Sequence, residues 1–200
     1  MISYWRAEGN ANDAYDANPG TFAANTYTTG KVGQAFSLDG NDDYVNIPYS
    51  SNLNISGKSF TLEAWAKRKQ SGSVDFIFGQ GQTNNNQGLH FGYRSDAFTF
   101  AFYNDDLDTP SIYTDVDEWH HWAGAYDAST NQKKLYRDGN LVASDTASDY
   151  LGSGDVTIGV TSWKSSGDYF NGLIDEVAIY NRALSQQEIS HHSNGQPYCP

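Results

Sequence analysis

Phe60-Thr61-Leu62-Glu63-Ala64-Trp65-Ala66-Lys67 alternates apolar and polar side chains with period two over most of its length. That is the signature of a β-strand with one face turned to a core. Phe60, Leu62, Ala64 and Ala66 share one face; Thr61, Glu63, Trp65 and Lys67 share the other. The second face reads either as an exposed concave sheet surface or as a face on which Trp65 is half-buried structure.

Working outward, Tyr44-Val45-Asn46-Ile47 alternates in the same way. Short apolar runs follow at 74–79, 89–94, 98–103, 121–126, 134–137, 141–145, 156–160 and 173–180. Turn-forming residues separate them at the spacing of an all-β sandwich. Arg137-Asp138-Gly139-Asn140 stands between two such runs, and Asp-Gly favours the positive φ angles of a type I′ hairpin turn. Ser185-Gln186-Gln187-Glu188 has capping-box spacing and predicts a short helix to about His191. Gly195, Pro197 and Pro200 mark 195–200 as a fraying tail, so the expected domain spans 1–194. There is no internal repeat of useful length.

Composition agrees. The 200 residues include 14 Tyr, 10 Phe and 5 Trp, and a chain of that length buries about 70% of its unfolded surface in one core. Most of these aromatics, including Phe60 and Trp122, are expected in that core. The net charge of −12, with only 12 scattered Lys and Arg, excludes nucleic acid as a partner and favours divalent cations. No apolar run approaches a membrane span, and Met1 to Arg6 lacks signal-peptide character. A chain that opens at Met1-Ile2-Ser3-Tyr4-Trp5, directly in strand-like sequence, is expected to be one module of a longer secreted protein. The lone Cys199 permits no internal disulfide.

Five blocks carry a family resemblance. They are Trp5-Arg6-Ala7-Glu8-Gly9-Asn10-Ala11-Asn12-Asp13, Gly30-Lys31-Val32-Gly33-Gln34-Ala35-Phe36-Ser37-Leu38-Asp39-Gly40, Asp43-Tyr44-Val45, Phe60 to Trp65, and Asn171-Gly172-Leu173-Ile174-Asp175-Glu176-Val177-Ala178-Ile179-Tyr180-Asn181-Arg182-Ala183-Leu184-Ser185. In this order they resemble the laminin G-like jelly-roll domains of the concanavalin A-like lectin/glucanase superfamily, as found in bacterial surface proteins. The resemblance implies a sandwich of two antiparallel sheets with first and last strands adjacent, an extracellular or cell-surface location, and often one calcium ion where those strands meet.

Calcium takes six to eight oxygens from carboxylates, amides and carbonyls. Glu8, Asn12, Asp13 and Asp175 are the candidate ligands, with a carbonyl near Gly40. Against them stands the plain reading that Asp13 closes an Asx turn and Glu8 bonds a neighbouring loop. The acidic clusters Asp105-Asp106-x-Asp108 and Asp115-x-Asp117-Glu118 lack EF-hand spacing and read as solvated turns.

Catalytic patterns are missing. The superfamily's hydrolases carry Glu-x-Asp-x-x-Glu on one strand, whereas Leu173-Ile174-Asp175-Glu176-Val177 lacks both glutamates of that frame. On a regular strand its two adjacent acids also point to opposite faces. His120-His121 and His191-His192 lack zinc spacing and read as pairs of one packed and one solvated ring. No catalytic residue is assigned.

Glycan recognition uses aromatic faces with amide and carboxylate side chains on loops of a rigid scaffold. The candidates are Asn84, Asn85 and Asn86 in the loop 81–88, Tyr103 and Asp105, and Trp163 and Tyr169 around the loop 164–168. The expected function is a non-catalytic, calcium-binding module for a glycan or other cell-surface ligand, carbohydrate-binding or adhesive. Two other readings stay open: a structural spacer or peptide- or protein-binding module of a large adhesin, and a glycoside hydrolase-related domain.

Overall fold

The computed structural model describes residues 1–195 except Asp16 and Asn25. Cys199 and the expected tail after Gly195 lie outside the described residues. Two antiparallel sheets pack face to face. The larger runs β13 (Asn140–Thr146), β12 (Gln132–Arg137), β11 (His120–Asp127), β6 (Phe60–Arg68), β15 (Asn171–Tyr180), β4 (Gln34–Asp39) and β3 (Tyr27–Thr29), and β1 (Ser3–Trp5) also pairs with β15. The first and last strands are therefore neighbours, as the jelly-roll reading requires. The smaller sheet runs β10 (Asp106–Asp108), β9 (Ala97–Ala101), β8 (Gly88–Arg94), β7 (Val74–Gly81), β14 (Val156–Ile158), β5 (Val45–Ile47) and β2 (Thr21–Phe22).

One core lies between the sheets, built on inward-facing aromatics. Trp122 stacks on Phe98 with ring centroids 3.7 Å apart, and Phe60 meets Phe100, Phe102, Tyr126 and Tyr150. Trp122 also donates its indole N–H to the Tyr93 hydroxyl at 2.9 Å, so the polar atom of this buried ring is satisfied.

The outer face of the larger sheet is covered. Ala123, Ala125, Tyr136, Ala178 and Tyr180 pack beneath Leu184 and Ile189, the latter on the helix α1 (Gln186–Ser193). The helix begins with the anticipated capping box: Glu188 N–H donates to Ser185 Oγ, and Ser185 N–H donates to Glu188 Oε2 at 2.8 Å. This cover overturns the reading of the Thr61-Glu63-Trp65 face as an exposed sheet surface. All three are buried: Glu63 accepts from His192 of α1 at 2.8 Å, and the Lys31 ammonium lies over the Trp65 ring at 4.0 Å.

The second histidine pair is split as expected, with His192 buried and His191 exposed; in the first pair His121 is buried and His120, rather than being solvated, is held between Asp115 and Asp138 at 2.7 and 2.8 Å. Asp138 and Gly139 both have positive φ, consistent with a type I′ turn between β12 and β13. The run 98–103 stops as a strand at Ala101 because Tyr103 and Asn104, at φ 61° and 62°, turn the chain back into β10. The run 156–160 likewise ends early, at Ile158, where Gly159 has φ 92°.

Candidate functional site: a groove on the smaller sheet

A groove opens on the outer side of the smaller sheet, along β8. Along β8, Leu89, Phe91 and Tyr93 enter the core, so alternation turns Gly88, His90, Gly92 and Arg94 outward. On β7 a bulge lies between Phe76 and Phe78. Ile77 and Phe78 both enter the core, and Phe76 is left on the outer face beside His90.

Val74, Phe76, His90 and Arg94 floor the groove of about 560 Å³, within the range of ligand sites. Tyr103, Asn104, Asp106, Trp163, Ser165 and Asp168 form its walls. Gly88 is the position that admits the aromatic wall. A Cβ there would lie 2.9 Å from the Trp163 ring and 2.6 Å from the Gln82 carbonyl oxygen. The Tyr103 and Trp163 rings meet at 89° with centroids 5.9 Å apart. Tyr103 holds that place at φ 61°, a left-handed conformation costly for a side chain of its size.

A polar chain runs along the floor. Nδ1 of His90 faces the Gly88 carbonyl oxygen at 3.0 Å, and Nε2 faces Nη2 of Arg94 at 2.8 Å. The guanidinium can only donate, so Nε2 is the acceptor and the proton resides on Nδ1. Burial, together with the Arg94 charge, pushes the imidazole pKa down to about 4. Arg94 in turn donates Nη1–H to Asp106 at 2.9 Å, with Asp108 3.7 Å away. Asp168 accepts from the Thr161 hydroxyl at 2.7 Å.

Of the ligand residues expected from sequence, the structure brings Tyr103 and Trp163 together in this groove. Asn85 accepts from the Asn104 side chain at 2.6 Å, and Asn86 donates its N–H to the Tyr103 carbonyl and accepts from the Leu151 N–H, so both brace the rim. Asn84 closes the turn of the same loop through its carbonyl. Asp105 faces away, holding the buried Lys133 ammonium at 2.6 Å and the Ser148 amide at 2.6 Å. Tyr169 packs on Tyr44 with centroids 6.3 Å apart, beside the groove lining. Sequence reasoning missed His90, Arg94 and Phe76. Alternation against Leu89, Phe91 and Tyr93 was the signal for the first two, while the bulge hid Phe76.

A second polar region lies where β1 meets β15. Ile174 and Val177 both enter the core, and a bulge in the pairing with β6 accommodates the two residues between them. Asp175 and Glu176 therefore share the side away from the core, which corrects the expectation of opposite faces. Glu176 adopts φ 52° as a result.

Asp175 accepts from Val32 N–H at 3.0 Å and Glu176 N–H at 2.8 Å, and burial, with the Glu176 charge, pushes its pKa up to about 7. Burial likewise raises Glu176, which accepts from the Tyr4 hydroxyl and whose Oε1 is enclosed without a hydrogen-bond partner among the described residues. Glu8 accepts from Gln34 N–H at 3.3 Å on the same 30–34 loop.

Asp13 instead ties down the local backbone. Its oxygens accept from the amides of Tyr4, Tyr15 and Asn18 at 2.9 to 3.1 Å, and Asn12 is exposed. Glu8, Asp175 and Glu176 thus gather around the 30–34 loop. Among the described residues, two further acid-rich groups gather at Asp39-Asp42-Asp43 and at Asp115-Glu118-His120.

A family model described as the concanavalin A-like lectin/glucanases superfamily, of laminin G type, matches residues 39–190, and the chain belongs to that family. No curated protein matches the chain. Among solved structures, the chain is similar to domain 4 of AbnA, an extracellular arabinanase from Geobacillus stearothermophilus, in complex with arabinotriose. The TM-score is 0.76 at 21% identity, covering 96% of this chain and 97% of that one. It is also similar to the binding domain of Paraclostridial mosquitocidal protein 1, with TM-score 0.71, 14% identity, 96% of this chain and 51% of that one. A third similar structure is the binding domain of botulinum neurotoxin DC in complex with SialylT, with TM-score 0.71, 16% identity, 98% of this chain and 52% of that one. The chain thus spans about half the length of the toxin domains it resembles, and at these identities the likeness establishes the fold.

Proposed function

We propose that the chain is a non-catalytic carbohydrate-recognition module of a larger extracellular or cell-surface protein, with the groove on the smaller sheet as its site. The observation that carries this reading is the pair of rings, Tyr103 and Trp163, set at right angles over Gly88 beside Arg94, Asp106 and Asp168. Aromatic faces cover sugar C–H surfaces, and carboxylates and amides take the hydroxyls. The arabinotriose named for one of the similar structures favours the same class of partner. Among the described residues no helix is long and apolar enough to cross a membrane.

Recognition is favoured over hydrolysis because the adjacent acids Asp175 and Glu176 are enclosed under Tyr4 and the 30–34 loop, away from the groove. Calcium belongs to the same proposal, at Glu8, Asp175 and Glu176: a divalent cation relieves acids that burial holds above their ordinary range. Its part is structural, fixing the 30–34 loop against β1 and β15.

A glycan array probed with the intact protein in calcium buffer, followed by titration of the best ligand into wild type and Trp163→Ala, tests the reading. Binding that Trp163→Ala weakens tenfold or more supports it. An array silent for every glycan, or binding indifferent to Trp163, overturns it.

A further inference from the structure

The charges of the groove are unevenly available to a ligand. Arg94 is the cation in its lining, and it is already engaged on both sides, by Asp106 at 2.9 Å and by Nε2 of His90 at 2.8 Å, with Asp108 at 3.7 Å. His90 itself is neutral with both ring nitrogens occupied, so it offers an incoming ligand neither charge nor donor. The acids are less fully used. Asp168 has one oxygen on Thr161, and Asp106 has one on Arg94; among the described residues their other oxygens make no side-chain hydrogen bond. Ser165 adds a hydroxyl, and the rings of Tyr103 and Trp163 present faces that carry partial negative charge.

We infer that the groove selects uncharged glycans and rejects acidic ones. This rests on the carbohydrate reading above and names its substrate class. Sugar hydroxyls donate, and Asp106 and Asp168 are charged acceptors for them, which makes those hydrogen bonds the stronger kind. A uronate or sialate carboxylate would instead meet two carboxylates and a guanidinium that must first abandon its partners. Specificity then comes from a repulsive element built beside an attractive one.

The experiment is a titration of matched pairs: galactotriose against trigalacturonate, and lactose against a sialylated lactose, with arabinotriose as a further neutral probe. Wild type is expected to bind at least one neutral probe at least tenfold more tightly than its acidic counterpart, with the gap widening at low salt. Asp106→Asn, which removes one acid and frees Arg94, is expected to narrow the gap at least threefold. Equal or tighter binding of the acidic member, lost in Trp163→Ala, overturns the selectivity and leaves the carbohydrate reading standing. Failure of every probe, neutral and acidic, overturns the selectivity, and an array that is also silent overturns the carbohydrate reading with it.

Discussion

Arg94 donates a guanidinium N–H to Nε2 of His90 at 2.8 Å, and this bond commits a buried imidazole to its neutral form. The folded chain resists protonating His90 until about pH 4, whereas the free side chain titrates near 6.5. Below 6.5 the unfolded chain therefore binds more protons, and stability falls as the pH drops from 6.5 towards 4, with no further loss from this group below that. The full effect is about 3 kcal/mol at 1.36 kcal/mol for each pH interval of the depression. Buried His121, pushed down to about 3, adds to the same limb. Denaturant titrations between pH 7 and 4 should show this decline, and His90→Gln should flatten part of it. An identical pH slope in the variant would refute the assignment.

Tyr103 sits at φ 61°, where a bulky side chain costs roughly 1 kcal/mol or more relative to residues that tolerate the left-handed region. Asparagine tolerates it. Tyr103→Asn is expected to keep or raise thermal stability while weakening glycan binding about tenfold, since it relieves the backbone and removes half of the aromatic wall. Differential scanning calorimetry and ligand titration on the same preparation check both halves. A variant that is both less stable and equally good at binding would mean that the ring serves the fold.

Sequence alone carried the fold because its signals were local and redundant. Period-two alternation in β6, the Asp138-Gly139 turn and the Ser185-Glu188 box each specify geometry within a few residues, and the family blocks fix their order. The groove was half legible. Tyr103 and Trp163 are aromatic residues in polar loops, which sequence flags, but their meeting depends on Gly88 and on pairing between β7 and β8.

Bulges defeated the rest. The extra residues at 77 and 176 shift the inside-outside alternation, so Phe76 surfaces in the groove and Asp175 comes to share a side with Glu176. Asp105 misled because a buried Lys133 on a strand distant in sequence claims it.

The capping box offers a clean stability test. Ser185 Oγ accepts from Glu188 N–H, and the Glu188 carboxylate returns to Ser185 N–H while also pairing with Arg182 at 2.7 and 3.1 Å. The Arg182 contact first, with the Ser185 amide and hydroxyl, holds the Glu188 pKa down to about 2. Ser185→Ala should cost about 1 kcal/mol, measured by chemical denaturation, with α1 still covering Tyr180. A loss below a few tenths would show that packing of Ile189 alone holds the helix.

The calcium proposal predicts a thermal midpoint that depends on the metal. A ligand that binds only the folded state stabilises by mass action, about 2.7 kcal/mol at a hundredfold excess over its dissociation constant. For a chain of this size that is a rise of roughly 5–10 °C. Chelated protein should show the rise on adding calcium, and Asp175→Asn should abolish it. Because burial raises the Asp175 pKa to about 7, the metal-free wild type is penalised as pH climbs from about 4 to 7, where the unfolded carboxyl is ionised and the folded one is not yet. Asp175→Asn removes that penalty, so without metal the variant should be the more stable of the two at pH 7. With calcium the order should reverse. An unchanged midpoint in calcium, or a variant that responds as wild type does, would leave Glu8, Asp175 and Glu176 as a hydrogen-bonded acid cluster that orders the 30–34 loop on its own.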